Sequence, residues 1–144
     1  HGLLNKTVRR MMGRTYPVNG PRFLGNLNER ELIQAMLKAH IYVMPSHIEN
    51  SPNSLCEAMI LGMPCITTLA GGTTSLLKDK KEGLVIQDGD PWSLAGALLE
   101  ILDHPEVASK YGENARITAL ARHDPEKIVK DLLGIYNSII LPRD

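Results

Sequence analysis

Short apolar runs alternating with longer helical patterns constrain this chain more than any other feature of it. The runs are Arg22 to Leu24, Ile41 to Met44, Cys65 to Thr68 and Leu84 to Gln87, each closed by a turn or a cluster of small residues. A strand covered on both faces loses polar alternation and reads this way, so the runs suit the buried strands of a parallel sheet. Strand and helix in turn is the rhythm of βαβ units. The expectation is an α/β fold, a Rossmann-like parallel sheet flanked by helices.

The helical segments carry their own punctuation. Asn28 can cap a helix while Glu31, three residues on, returns the bond in a capping box, and Leu32, Ile33, Met36 and Leu37 supply its apolar stripe. Ser51 as N-cap, Pro52 at the first helical position and Gly62 just past the end mark a second helix. Asp90-Pro91 opens a third through Trp92, Leu94, Ala97, Leu98 and Ile101, with Trp92 read as a packing residue of that stripe. It stops near His104-Pro105, since proline disfavours helix in the residue before it. Two more run from Pro105 to Ala121 and from Pro125 to Ile140, the latter behind Asp124.

The segment from His1 to Arg14 reads as a helix whose Arg9, Arg10 and Arg14 form a solvated face, followed by a loop through Pro17, Gly20 and Pro21. No hydrophobic strand precedes it, so the sheet is expected to lack its first strand or strands and the chain to start inside a larger protein.

Bulk properties exclude several classes. A chain of 144 residues with 43% hydrophobic and 22% charged residues is one ordinary globular domain. Lys plus Arg and Asp plus Glu number 16 each, and no basic run tracks a phosphate backbone, so nucleic acid is not an expected partner. Cys56 and Cys65 sit among apolar neighbours without metal-ligand spacing and read as buried, reduced thiols. No apolar stretch reaches the roughly 18 residues that span a bilayer, and the N-terminus has no signal-peptide core. The cytoplasm is the expected compartment.

The chemistry gathers between Ile41 and Gly62: a strand, a tight polar loop and a capped helix. Open parallel sheets bind ligands beyond the carboxyl ends of their strands, and Glu49 lies in that loop. Asn53, Ser54 and Glu57 share one helix face by their spacing, while Leu55, Cys56, Met59 and Ile60 cover most of the rest. A carboxylate on so apolar a helix reaches water or needs donors, and a ribose diol would supply two. The N–H groups and positive dipole end at Asn53 and Ser54 suit a diphosphate. Spacing alone leaves an ordinary loop carboxylate and a solvated helix carboxylate equally open. The pair Gly71-Gly72, taken alone, reads as a plain turn. His40, His104 and His123 read as helix-end residues; His47, two positions before Glu49, could touch a sugar, but a strand-end histidine is more often structural.

The stretch P-S-x-x-E-N-S-P-N-S-L-x-E-A-M-x-x-G-x-P resembles glycosyltransferase family 4, the group 1 glycosyltransferases, with Glu49 and Glu57 forming its E-x7-E pattern. The resemblance extends to FLG at Phe23 to Gly25, to Gly71-Gly72 and to EGLVIQDGD from Glu82 to Asp90, and covers the chain to about Tyr136. It implies the C-terminal, nucleotide-sugar-binding half of a two-domain GT-B enzyme, with residues 1–144 as one truncated donor-binding domain. The helix within 125–144 would pack toward an absent N-terminal, acceptor-binding domain, through which any peripheral membrane contact would be made.

By the same resemblance Glu57 holds the ribose hydroxyls and Glu49 is the catalytic carboxylate near the reacting centre of the donor sugar. Asn50, Ser51, Asn53, Ser54 and Leu55 meet sugar and phosphate, largely through main chain. Main chain near Leu24, Gly25 and Asn26 lines the base pocket, and Gly71 and Gly72 complete the donor loop. The implied reaction moves a sugar from a nucleoside diphosphate-sugar to an acceptor hydroxyl with retention of configuration, in polysaccharide biosynthesis or a related pathway. No cofactor and no metal are expected, the nucleotide sugar being a substrate.

Two departures stand out. Ser75 occupies the place where the family often has Glu, three positions after the second loop glycine. The basic residues that neutralise the diphosphate in the family lie upstream of this chain, which alone is therefore not expected to turn over. The alternative is a non-catalytic nucleotide-sugar-binding module, and a third possibility is another GT-B enzyme such as a sugar-nucleotide epimerase.

Overall fold

The computed structural model describes residues 22–140. The expected helix from His1 to Arg14, with Arg9, Arg10 and Arg14, and the loop through Pro17, Gly20 and Pro21 lie outside the described residues. The chain divides into two compact units, residues 1–33 and 34–144.

In the first unit, the segment Arg22 to Leu24 expected as a strand is irregular, and Leu24 is 54% exposed. A strand exists only as one side of a ladder, and among the described residues this segment has no strand partner. Gly25 follows with φ +74°, the left-handed region that favours glycine, and both Gly25 and Asn26 are exposed. The capping box then forms as the sequence demands. Asn28 N–H donates to Glu31 Oε2 at 2.9 Å and Glu31 N–H donates to Asn28 Oδ1 at 3.0 Å, which starts α1 (Glu29–Leu37). Of its expected stripe only Met36 is buried, while Leu37 is 58% exposed.

The second unit is a three-stranded parallel sheet in the order β1 (Tyr42–Met44), β2 (Cys65–Thr68), β3 (Leu84–Ile86). Helix α2 (Asn53–Ile60) connects β1 to β2, and the short α3 (Thr73–Leu76) connects β2 to β3. After β3 come α4 (Pro91–Asp103), α5 (Pro105–Arg122) and α6 (Pro125–Ile140). The register aligns Val43 with Ile66 and Ile66 with Leu84, so these three share one face of the sheet. On that face Ile66 and Leu84 join Ala97, Ile101 and Tyr111 in a buried cluster, with Ile41, Val43, Ile86, Leu94 and Leu98 packed around it. The neighbouring register positions, Tyr42 and Cys65, take the opposite face. There the Tyr42 hydroxyl donates to Ser54 Oγ of α2 at 2.8 Å.

Helix α2 ends in a complete Schellman motif. Gly62 N–H donates to Met59 O at 3.0 Å and Met63 N–H to Ala58 O at 3.1 Å, with Gly62 at φ +76°. Its beginning differs from expectation. Pro52 (φ −72°, ψ 112°) is itself the N-cap, no side chain caps the helix, and Ser51 stands one residue outside it. A proline held extended leaves its successor as the first helical residue, so the helix starts one position late.

Helix α5 docks on α2 where neither backbone carries bulk: a Cβ on Gly112 would stand 2.2 Å from Gly62 O. Arg116 Nη1 donates to Ile60 O, and Glu82, 1% exposed, accepts from Lys78 N–H and from Thr118 Oγ1, both consistent with its carboxylate being satisfied in place.

Asp90 caps α4 as expected, accepting from Trp92 N–H at 2.9 Å and Ser93 N–H at 3.1 Å. Trp92 does not pack. It is 85% exposed, because the buried stripe runs through Leu94, Ala97, Leu98 and Ile101, and Trp92 falls in line with Gly96 and Leu99 on the outer side. Asp124 Oδ1 accepts from Glu126 N–H and starts α6, which buries none of its residues. Among the described residues no helix is long and apolar enough to cross a membrane.

Candidate donor site at the carboxyl edge of the sheet

All three strands end toward one edge, and the loops that leave them are held against one another. The loop after β1 carries Pro45 to Pro52. Thr68, the last residue of β2, donates its hydroxyl to Ser46 O at 2.5 Å, which fixes the start of that loop to the middle strand. The loop after β2 then runs directly over the next residues. A Cβ on Gly71 would stand 1.6 Å from Glu49 O, and one on Gly72 2.0 Å from Asn50 O. The paired glycines are thus more than a turn, since any side chain there would drive the two loops apart. Thr73 locks the glycine loop from below, its buried hydroxyl lying 2.8 Å from Thr68 O and 2.9 Å from Ala70 O.

The loop after β3 makes the third contact. His47 Nδ1 lies 2.5 Å from Asp88 Oδ1, an oxygen closed off from solvent that has no aligned hydrogen bond to any other group. The approach is close but is not aligned as a hydrogen bond. Sequence reading favoured a structural role for His47 and passed over Asp88. No local spacing could have joined them, because the pair spans the whole sheet edge from β1 to β3.

Within this frame Glu49 is half-buried and Glu57 is exposed, as are Asn50, Ser51 and Asn53. Ser54 is partly buried against Tyr42, and Leu55 is 0% exposed, so only its main chain could meet a ligand. Both glutamates act on the Tyr42 phenol. Burial pushes its pKa up, the bond to Ser54 pulls it back, and the charges of Cys65, Glu57 and Glu49 add to the rise. Gly25 and Asn26 belong to the first unit. Ser75, in the position where a Glu was the family expectation, is exposed and donates its hydroxyl to Gly72 O at 2.6 Å.

An open pocket of about 240 Å³ lies at this edge, lined by Pro45, His47, Thr68, Gln87, Asp90 and Leu94 among others, with Glu49 and Glu57 outside its lining. Among the described residues no group of three His, Cys, Asp or Glu side chains is placed to hold a metal ion. The arrangement offers two carboxylates and the free first-turn N–H groups of α2, a set suited to hydroxyl donors on one side and an anion on the other.

Comparison with known proteins agrees in family and fold. The chain is 28% identical over 112 residues to the D-inositol 3-phosphate glycosyltransferase of Acidothermus cellulolyticus, covering 78% of this chain and 25% of that protein. Sucrose-phosphate synthase from Thermosynechococcus elongatus superposes with a TM-score of 0.81 at 26% identity, over 94% of this chain and 34% of that one. The Anabaena protein HepE, solved in complex with UDP-glucose, superposes with a TM-score of 0.82 at 22% identity, over 92% of this chain and 36% of that one. The chain spans about a quarter to a third of the length of these proteins. Its fold is that of the C-terminal, Rossmann-like half of a GT-B glycosyltransferase. The family model for glycosyl transferases group 1 matches residues 6–118, and the chain belongs to that family.

Proposed function

We propose that this chain supplies the nucleoside diphosphate-sugar site of a retaining glycosyltransferase. The observation that carries the reading is the loop of Glu49, which lies against the glycine pair Gly71 and Gly72 beyond the carboxyl edge of a parallel sheet and leads directly into α2, the helix that carries Glu57. In this reading Glu57 accepts hydrogen bonds from the ribose hydroxyls, and the N–H groups of Asn53 and Ser54 receive the diphosphate. Glu49, on the braced loop, faces the donor sugar near the anomeric carbon. Asn50, Ser51 and the main chain of Leu55 complete the sugar and phosphate contacts, with Gly71 and Gly72 closing over them. Gly25 and Asn26 present main chain to the base.

Breaking the bond from the anomeric carbon to the diphosphate sends its electron pair to the leaving oxygen. Fixed N–H dipoles aimed at that oxygen stabilise the charge as it develops, without a metal. Attack of the acceptor hydroxyl on the same face, with its proton passing to the departing diphosphate oxygen, then gives retention. We assign the acceptor site, and the basic groups that complete diphosphate neutralisation, to a second domain that works with this one. Helix α6, with Ile128, Val129, Leu132, Leu133 and Tyr136 all about half-exposed, is the surface that domain would cover. In this account the enzyme is cytoplasmic, and the isolated chain binds donor without turning it over.

That HepE binds UDP-glucose supports the donor class, since its fold matches over most of this chain. The test is a screen of UDP-, GDP- and ADP-sugars with the full-length protein in the presence of a chelator, followed by NMR of the product's anomeric proton. Transfer with the donor's configuration kept is the expected result. Inversion of configuration, or transfer abolished by the chelator, would contradict the mechanism. Donor binding with no transfer to any acceptor would favour the alternative reading, a nucleotide-sugar-binding module without catalysis.

A further inference from the structure

We infer that Asp88 is a positioning residue for Glu49, acting through His47. The inference rests on the donor-site reading above and deepens it. The loop carrying Glu49 is fixed on two sides by main-chain contacts, the Thr68 hydroxyl on Ser46 O and the glycine loop on Glu49 and Asn50. Neither of these restrains the segment between Ser46 and Glu49 toward β3. Toward β3 that segment meets the next loop at His47, whose Nδ1 lies 2.5 Å from Asp88 Oδ1.

Three features argue that this contact sets geometry rather than holding the fold. The imidazole is 73% exposed, and a polar contact so open to water adds little to stability. Asp88 is the less exposed partner at 31%, and its Oδ1 is shut away from solvent where the imidazole meets it. The loop after β3 is itself anchored: two residues on, Asp90 accepts two main-chain bonds from the first turn of α4 and one from Ser93 Oγ at 2.6 Å. An acceptor on the loop after β3 thus meets His47, and His47 lies two residues before the half-buried Glu49. Ile48 between them is 92% exposed and contributes no packing of its own to the loop. The His47 and Asp88 pair is then what orients the carboxylate that faces the donor sugar, while Glu57, on α2, is held independently by helix and core.

The test uses the full-length protein and a panel of UDP-, GDP- and ADP-glucose with the matching free diphosphates, by calorimetry. Asp88→Asn is expected to weaken the nucleoside diphosphate-glucose about tenfold while the free diphosphate changes less than about twofold, because only the sugar end meets the displaced carboxylate. His47→Ala is expected to do the same, and the double variant to add nothing further, as for two residues acting as one unit. Melting temperature should be unchanged in all three. Additive losses, equal weakening of diphosphate and nucleotide sugar, or weakening that follows a fall in melting temperature would each overturn the positioning role. The second measurement needs no variant: in the unsubstituted protein the His47 imidazole must show NMR contacts to Asp88 and a single ring orientation, and averaging of that ring overturns the inference. A different failure marks the parent reading. If the unsubstituted protein binds none of the panel, the donor site itself falls and the positioning role with it.

Discussion

Gly71 shows how much one missing side chain can decide. Its φ of +51° and the 1.6 Å separation between a would-be Cβ and Glu49 O impose two separate penalties on any other residue. Gly25 has a comparable φ of +74° but open space around it. Gly71→Ala is therefore expected to cost about 3 kcal/mol or more in urea unfolding, against about 1 kcal/mol for Gly25→Ala, where only the backbone penalty applies. Equal costs would mean that the loops are not in contact. Cys65 gives a second test. Burial pushes its thiol up to about 12 from an ordinary value of 9.0. Between those values the unfolded chain releases a proton that the folded chain keeps, so stability should fall as pH rises from 9 toward 12. Cys65→Ala should flatten that part of the pH profile, and native Cys65 should resist alkylation at pH 8. The buried cysteines were legible from their apolar neighbours, whereas spacing alone left Glu49 and Glu57 open and read the glycine pair as a plain turn. The Thr68 to Ser46 bond and the His47 to Asp88 contact were not legible, because each joins loops from different strands and leaves no periodic trace.

At the scale of elements, most caps formed where the sequence places them, the exception being Ser51, which stands outside α2 because Pro52 is itself the N-cap. The Asn28 and Glu31 box, the Asp90 cap, the Gly62 stop and the Asp124 start all formed where side chain and main chain meet within a few residues. Errors arose where a tertiary partner decides. Arg22 to Leu24 has strand composition but no ladder, and Trp92 is apolar yet sits off the buried stripe of α4. The Asp90 cap also has a pH signature. Hydrogen bonds from the Ser93 side chain and main chain hold its carboxyl below the ordinary range, so its support for α4 is present above the unfolded pKa and lost as pH falls through the lower folded value. Asp90→Asn should keep the cap and remove that share of the acid dependence, as read by thermal melts from pH 6 down to 2. An unchanged acid limb would show that Asp90 carries no proton linkage.

Among the described residues of the second unit, the sheet with α2, α4 and α5 forms the core, while α6 contributes no buried residue. Truncation after Asp124 should therefore leave the melting temperature of the rest nearly unchanged, whereas loss of cooperative melting would show that α6 has a packing role in this fold. Its apolar residues, Ile139 and Ile140 each 73% exposed, would make the intact chain prone to self-association relative to the truncated one, measurable by sedimentation. The α/β class and the parallel sheet were readable in advance because strand length and helix caps are written locally. Which surfaces remain open was not, since that depends on what the folded chain leaves uncovered.

The claim on which the account turns is that Glu57 receives a ribose. Calorimetry on the full-length protein, comparing a nucleoside diphosphate with its 2′,3′-dideoxy analogue, tests it most directly. The unsubstituted protein should prefer the ribonucleotide by about tenfold or more, the worth of hydrogen bonds to a charged acceptor, and Glu57→Ala should bind both equally weakly. Ribonucleotide binding that survives Glu57→Ala undiminished would contradict the account.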